Sequence, residues 1–242
     1  MYESCKYDEA VTESLKIIPD KKSKILEAGA GSGRVVKYIF DENYKNIVGL
    51  EINPTPIKEF RNLYEIPKIV IGDITKPPFK DESFDVVLSY GVVEHFVLGL
   101  DKPLASIYKI LKKNGLAVIT VSSFNKLRQI KFFLKKIINK NKYKESEKEK
   151  YKYYLHPPEG PFFEYRLTPK EFELAVKKTG FTILKSMPIY KIDGFYHDVS
   201  KNLVKYKNYQ FIKTPIGNIL NSFLGLFPFF HNHMHLVILK KE

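Results

Sequence analysis

Seven residues, Glu27-Ala28-Gly29-Ala30-Gly31-Ser32-Gly33, lie between the apolar run Lys24-Ile25-Leu26 and a helix-spaced stretch from Arg34 to Phe40. A strand that enters a glycine turn and leaves as a helix brings backbone N–H groups to a helix start, where a ligand can approach the main chain closely because no Cβ intervenes. Gly29, Ala30 and Gly31 are the candidate contacts. The spacing departs from the dinucleotide pattern G-x-G-x-x-G, since Arg34 stands where the third glycine would fall. An acid, Glu27, precedes the first glycine instead. Its charge would repel a pyrophosphate and suits a cofactor that carries positive charge.

More acids close the runs that follow. Glu51 ends Ile47–Leu50, twenty residues past Gly31. There it could accept both hydroxyls of a ribose lying across a sheet's crevice, or it could be an exposed acid capping the helix over Pro54–Tyr64. Asp73 follows Ile69-Val70-Ile71-Gly72, with Ile74 after it; the plainer role is to open a turn before Pro77-Pro78. The run Phe84–Ser89 leads into Tyr90-Gly91-Val92-Val93-Glu94-His95-Phe96. An imidazole changes charge near neutrality in water, so a histidine at position 95 could act as a general base, or simply hold the loop as a packed histidine. Glu94 divides in the same way between shaping a site and being a surface charge.

This ordered series resembles the small-molecule branch of the class I S-adenosylmethionine-dependent methyltransferases. The resemblance covers residues 25–121 well, and residues 168–187 and the last strand more loosely. It implies an α/β, three-layer Rossmann-like fold whose seven-stranded sheet is mostly parallel with an antiparallel last strand. It also implies S-adenosyl-L-methionine as cofactor, held by Glu27, Gly29, Ala30, Gly31, Glu51, Ile52, Asp73, Ile74 and Tyr90. Asp73 would accept from the adenine amino group while Ile74 packs on the ring, and Tyr90, Glu94 and His95 would face the reaction centre. Members that methylate base amino groups carry Asn or Asp, two prolines and an aromatic after the fourth strand, and this chain has no such sequence there. The chemistry asks mainly for in-line geometry and exclusion of water, plus proton removal where the acceptor needs it. The expected acceptor is a small or lipid-linked molecule, methylated at oxygen. The rivals are an RNA methyltransferase tracking phosphates with basic residues, a non-catalytic cofactor-binding module and, more distantly, a dehydrogenase.

The elements that must position these residues are legible as strands alternating with helices. Strand-like runs fall at Ile25–Ala28, Ile47–Leu50, Lys68–Ile71, Phe84–Ser89, Leu116–Val121, Phe181–Met187 and His233–Leu239. Helical patterns fall at Asp8–Ile18, Arg34–Phe40, Pro56–Tyr64 and Leu104–Lys112, the last closed by Asn114-Gly115 as a cap. Another begins at Thr168-Pro169 and ends at Thr179-Gly180. The alternation predicts a parallel sheet covered on both faces.

With 242 residues, 44% hydrophobic and 28% charged, the chain reads as one globular domain, 1–242, interrupted by insertions at 122–165 and 188–232. A lone cysteine, Cys5, near what reads as a mobile start, excludes a disulfide framework and makes a reducing cytoplasm the expected location. The polar, acidic first residues argue against a secretory signal. The net charge of +13 is concentrated: Lys126–Lys152 holds eleven Lys/Arg and three Glu. The amphipathic basic stretch Phe124–Ile138 reads as a helix packed on the domain, with a membrane surface, a lid or an anionic substrate as the alternatives. Peripheral contact with the inner face of a membrane therefore joins the expectations, and nucleic acid is the weaker one. The apolar stretch Ile216–Phe230 is too short and broken to span a bilayer. His231-x-His233-x-His235 would put three imidazoles on one face of a strand; without a Cys or acid beside them, a turn into the last strand is the favoured reading over a metal site.

Overall fold

The computed structural model describes residues 2–65, 67–137, 143–145, 152–155, 161–207 and 210–242. Its first half alternates β1 (Ile25–Ala28), β2 (Ile47–Glu51), β3 (Ile69–Ile71), β4 (Phe84–Tyr90) and β5 (Leu111–Ser122) with helices. These are α1 (Glu9–Leu15), α2 (Arg34–Asp41), α3 (Pro54–Arg61) and α4 (Asp101–Ile110). The chain then continues through α5 (Lys126–Ile137), β6 (Tyr143–Glu145), β7 (Lys152–Leu155), β8 (Phe162–Arg166), α6 (Pro169–Lys178) and β9 (Phe181–Ile189). It closes with α7 (Lys191–Asp198), β10 (Val204–Lys207), β11 (Gln210–Lys213), α8 (Pro215–Gly225) and β12 (Met234–Lys241).

Seven strands form the central sheet in the order β3-β2-β1-β4-β5-β12-β9. The pairs β3–β2, β2–β1, β1–β4 and β4–β5 are parallel, and β12 lies antiparallel to both β5 and β9. Successive residues of β1 and β4 point into two different apolar layers. Ile25, Val86 and Leu88 join Val11 of α1 and Val35 and Ile39 of α2. Leu26 and Val87 join Leu104 and Ile107 of α4 and Phe172 of α6. Side chains alternate across a strand, so apolar runs without polar alternation need cover on both faces. Each fully buried side chain of this size contributes about 1.5–3 kcal/mol. The sheet reverses its order of addition between β1 and β4, and the crevice outside the strands' carboxyl ends at that point is where such folds hold ligands.

Several boundaries differ from the sequence reading. The first α-helix is Glu9–Leu15, N-capped by Asp8, and a 3-10 segment, Tyr2–Tyr7, precedes it. Cys5 in that segment is buried, with its sulfur 3.0 Å from Arg34 Nη1, so this start is packed. α4 stops at Ile110 because Leu111 is already extended. Asn114-Gly115 turns inside β5 instead of capping the helix. Asn114 takes φ 63°, and a Cβ at Gly115 would come within 2.8 Å of the Lys112 carbonyl. Pairing with β4 accordingly jumps from Phe84–Leu111 to Val86–Leu116. Pro188 and Ile189 still belong to β9, where an edge strand tolerates a proline. The Thr168 cap holds as a full capping box with Glu171.

The two excursions are joined to each other and to the sheet by one buried arginine. Arg128 of α5 stands with its Nε 2.7 Å from Asp198 Oδ2 of α7. Its Nη1 donates to the Ser123 carbonyl at 2.6 Å and its Nη2 to His233 Nδ1 at 3.1 Å. Burial first, then Arg128, push the His233 pKa down to about 3, so the ring stays neutral and can accept. Asn125 caps the start of α5, accepting from Arg128 N at 2.8 Å, while its Nδ2 donates to Asp198 and to the Asn232 carbonyl. Most of the Lys140–Lys152 run lies outside the described residues, as do 156–160 of the aromatic stretch that follows it.

Candidate functional site

A cavity of about 290 Å³ opens at the carboxyl ends of β1 to β4, bounded by Gly29, Glu51, Asp73, Tyr90, His95 and Phe96. Ile52 and Ile74 also line it, Ile52 exposed and Ile74 buried. The cavity thus brings together predicted residues from four strand ends.

The glycine turn works differently from the expectation of free N–H groups. Gly29 N and Ala30 N both donate to the Leu50 carbonyl, at 2.8 and 2.9 Å, and Gly33 N to the Ala30 carbonyl at 2.8 Å. Gly31 N donates to Glu51 Oε2 at 2.8 Å. The turn is therefore tied down by β2, and what it offers a ligand is space: a Cβ at Gly31 would meet nothing within 4 Å. Ala30 itself faces the core, not the cavity. Three glycines with positive φ, Gly29, Gly31 and Gly33, produce the bend.

Glu51 carries the turn on one oxygen and accepts from Asn53 N at 2.8 Å on the other. Each oxygen keeps a second lone pair for a hydroxyl donor. Asn53, not Glu51, caps α3. Asp73 Oδ1 accepts from Thr75 N at 2.8 Å, the turn role expected of it, and the residue also lines the cavity.

Glu27 sits beneath the turn and does not line the cavity. It is buried, its Oε2 lacks a partner among the described residues, and burial, only partly offset by Arg34, raises its pKa to about 8. An orphaned buried carboxylate oxygen under a glycine turn fits a ligand with a positive group.

The three expected catalytic residues separate. Tyr90 has its ring at the cavity, but its hydroxyl points away to Ser14 Oγ at 2.6 Å. Ser14 already donates to the Ala10 carbonyl, so the phenol is the donor to Ser14. Burial raises its pKa well above the usual value, and it cannot take up a proton from a substrate. Glu94 does not reach the cavity. It is buried against the end of β5, where Oε1 accepts from Ser122 N at 2.9 Å; burial, with Glu164 nearby, raises its pKa to about 8. His95 alone faces the cavity with a free edge. Its Nδ1 lies 2.7 Å from the Phe163 carbonyl, so Nδ1 carries the hydrogen and Nε2 is the acceptor nitrogen. Phe163, from the first excursion, also stacks edge-on with the imidazole. Nothing in the sequence marks Phe163, since the contact is through a main-chain carbonyl.

Glu27 and Glu94 make stability depend on pH in a definite direction. Their folded pKa values, about 8, lie above the unfolded value of 4.5, so the unfolded chain releases these protons first and stability falls as pH rises between the two. His233 and His235, held neutral with pKa values of about 3 and 4, act oppositely, but only below 6.5. Between pH 6.5 and 8 the ligand-free protein is expected to lose stability at up to about 1.4 kcal/mol per pH unit for each carboxyl. Urea melts across that window should show the loss, with roughly half the slope in Glu27→Gln; an unchanged slope would refute the buried, protonated Glu27.

The three C-terminal histidines go to separate partners: His231 to Asn221, His233 to Arg128 and His235 to Ser186. Among the described residues no group of three or more His, Cys, Asp or Glu is placed to hold a metal ion.

Residues 26–119 match a family model described as a methyltransferase domain. The chain thus matches methyltransferase domains over the segment that builds the crevice. Its relatives include the 24-methylenesterol C-methyltransferase 2 of Arabidopsis thaliana, 28% identical over 118 residues, which are 46% of this chain and 32% of that one. The sterol 24-C-methyltransferase of Pneumocystis carinii is 26% identical over 220 residues, covering 85% of this chain and 54% of the other. The chain thus spans about a third to a half of these relatives' length. Its fold is similar to that of a putative S-adenosylmethionine-dependent methyltransferase from Listeria monocytogenes, with a TM-score of 0.63, 15% identity and 99% of each chain covered.

Proposed function

We propose that this chain transfers a methyl group from S-adenosylmethionine to a small-molecule or lipid-linked acceptor, at an oxygen atom. The observation that carries the reading is the pair of acids lining the crevice, Glu51 and Asp73, at the end of and just past two adjacent parallel strands, beside a glycine turn that leaves open space and has Glu27 buried beneath it. Glu51 would accept from the ribose hydroxyls, Asp73 Oδ2 from the adenine amino group, and Ile74 and Ile52 would flank the ring. Glu27 favours a positive group above it, because a nearby cation stabilises its ionised form. The bound cofactor supplies an electrophilic methyl on a sulfonium. The protein's share is to hold the acceptor in line, keep water out and accept a proton. His95 Nε2 suits that last task, since a hydroxyl acceptor must lose its proton and the Phe163 carbonyl fixes the tautomer that can take it. A lipid-like acceptor is supported by the two relatives named as sterol methyltransferases. Their names specify carbon, so the atom methylated must be read from the product.

The test is cofactor consumption with the purified protein and a lipid and small-molecule extract, followed by mass spectrometry of the methylated product. An O-methyl product is expected; methylated carbon or nitrogen would overturn the oxygen assignment, and no cofactor binding would overturn the whole. A sharper local test is Asp73→Ala. Losing a hydrogen bond to a charged acceptor should weaken S-adenosylmethionine binding about tenfold or more in calorimetry, with the fold retained. Undiminished affinity would remove Asp73 from the site.

A further inference from the structure

α8 is built inside out. Gly217, Asn221 and the half-buried Leu224 form the face turned toward the protein: a Cβ at Gly217 would come within 2.2 Å of the Leu203 carbonyl, and Asn221 Oδ1 lies 3.2 Å from His231 Nε2. Ile216, Ile219, Leu220 and Phe223, with Phe227 just past the helix end, lie away from that face and are exposed. Ile219 is 69% exposed, Phe223 57%, and the neighbouring Leu226 73%. An ordinary surface helix shows the reverse polarity, so this face is made for a partner. The stretch Pro215–Phe230 carries no charged side chain, while Val199–Phe230 as a whole holds four lysines and no acid.

The surroundings say which partner. In the β10–β11 hairpin, Lys205 pairs with Ile212 and Lys207 with Gln210, which places these four side chains on one face, and all four are exposed. α5 begins against the end of the α8 loop, where Lys126 N and Leu127 N donate to the carbonyls of Phe229 and Phe230. α5 adds exposed Ile130, Phe133 and Leu134. Exposed apolar side chains fringed by lysines, with no carboxylate among them, are complementary to an anionic bilayer surface. A second copy is disfavoured, because two chains of net charge +13 repel. No described helix is long and apolar enough to cross a membrane. From this geometry we infer that α8 and the β10–β11 hairpin dock the protein on the surface of anionic membranes, with the Ile219–Phe223 face entering the interface and Lys205 and Lys207 meeting the headgroups.

The test is cosedimentation of the full chain, without cofactor, with vesicles of phosphatidylcholine alone or mixed with phosphatidylglycerol. Binding is expected only to the mixed vesicles and should weaken as salt rises. Ile219→Ser/Phe223→Ser and, separately, Lys205→Glu/Lys207→Glu should each lower that binding at least about tenfold. Both pairs are exposed, so their melting temperatures should match the parent. Failure to sediment, equal binding by the variants, or a self-associated species that Ile219→Ser/Phe223→Ser disperses would each overturn the inference. Because no turnover is involved, these outcomes leave methyl transfer standing.

Discussion

Replacing Arg128 with methionine is expected to lower folding stability by about 3–5 kcal/mol. Methionine keeps much of the side chain's length while removing the charge, so the loss reports on the charge and its hydrogen bonds. Asp198 would be left largely buried without its cation, and the Ser123 carbonyl and His233 Nδ1 would lose a donor. The contribution is not simply that of an ion pair, since a buried pair gains little over apolar replacement; the penalty comes from stranding one half. Arg128→Met/Asp198→Asn retains a partner for Asn125 and should recover roughly half of the loss. Urea denaturation of the three proteins measures this. A single variant within about 1 kcal/mol of the parent would mean that water already reaches the pair.

Substituting alanine for Gly29 should weaken S-adenosylmethionine binding about a hundredfold. Gly29 has φ 85°, and an added Cβ would stand 2.3 Å from Val92 Cγ2. The left-handed backbone costs an L-residue roughly 1–2 kcal/mol. Relieving the clash moves a turn held by paired bonds to the Leu50 carbonyl, each worth about 1 kcal/mol. Together these approach the 2.7 kcal/mol that a hundredfold change represents. The companion Gly29→Ala/Val92→Ala separates the two causes. It removes the collision and leaves the backbone strain, so affinity should return only in part. Calorimetric titration decides, and parent-like binding by Gly29→Ala would show that the turn is not the cofactor's seat.

The residues in the crevice were readable because their message is local. A strand, a glycine turn and a helix succeed one another within a dozen residues around Gly31, and Glu51 and Asp73 each stand at or just past the end of their own apolar run. Doubly buried strands also announce themselves, since Ile25 and Leu26 must both be apolar when opposite layers receive them. Asn114-Gly115 misled for the same reason. The pair has the chemistry of a helix stop, yet the helix ends at Ile110 and the pair turns inside the strand.

What no local pattern contains is which distant groups meet. Tyr90 stands where a catalytic hydroxyl could, yet Ser14, 76 residues away, holds its hydroxyl. His95 gained a defined tautomer from a carbonyl 68 residues downstream. Arg128 read as one more cation on an amphipathic basic helix, although β12, inserted between β5 and β9, delivers His233 to it from 105 residues on. By itself the order of residues determined the strands, the turn and the acids at the crevice, because spacing along a chain sets which side chains share a face. The tertiary structure alone decided which of those side chains remain free to act, because burial and hydrogen bonding depend on neighbours that only the completed sheet brings together.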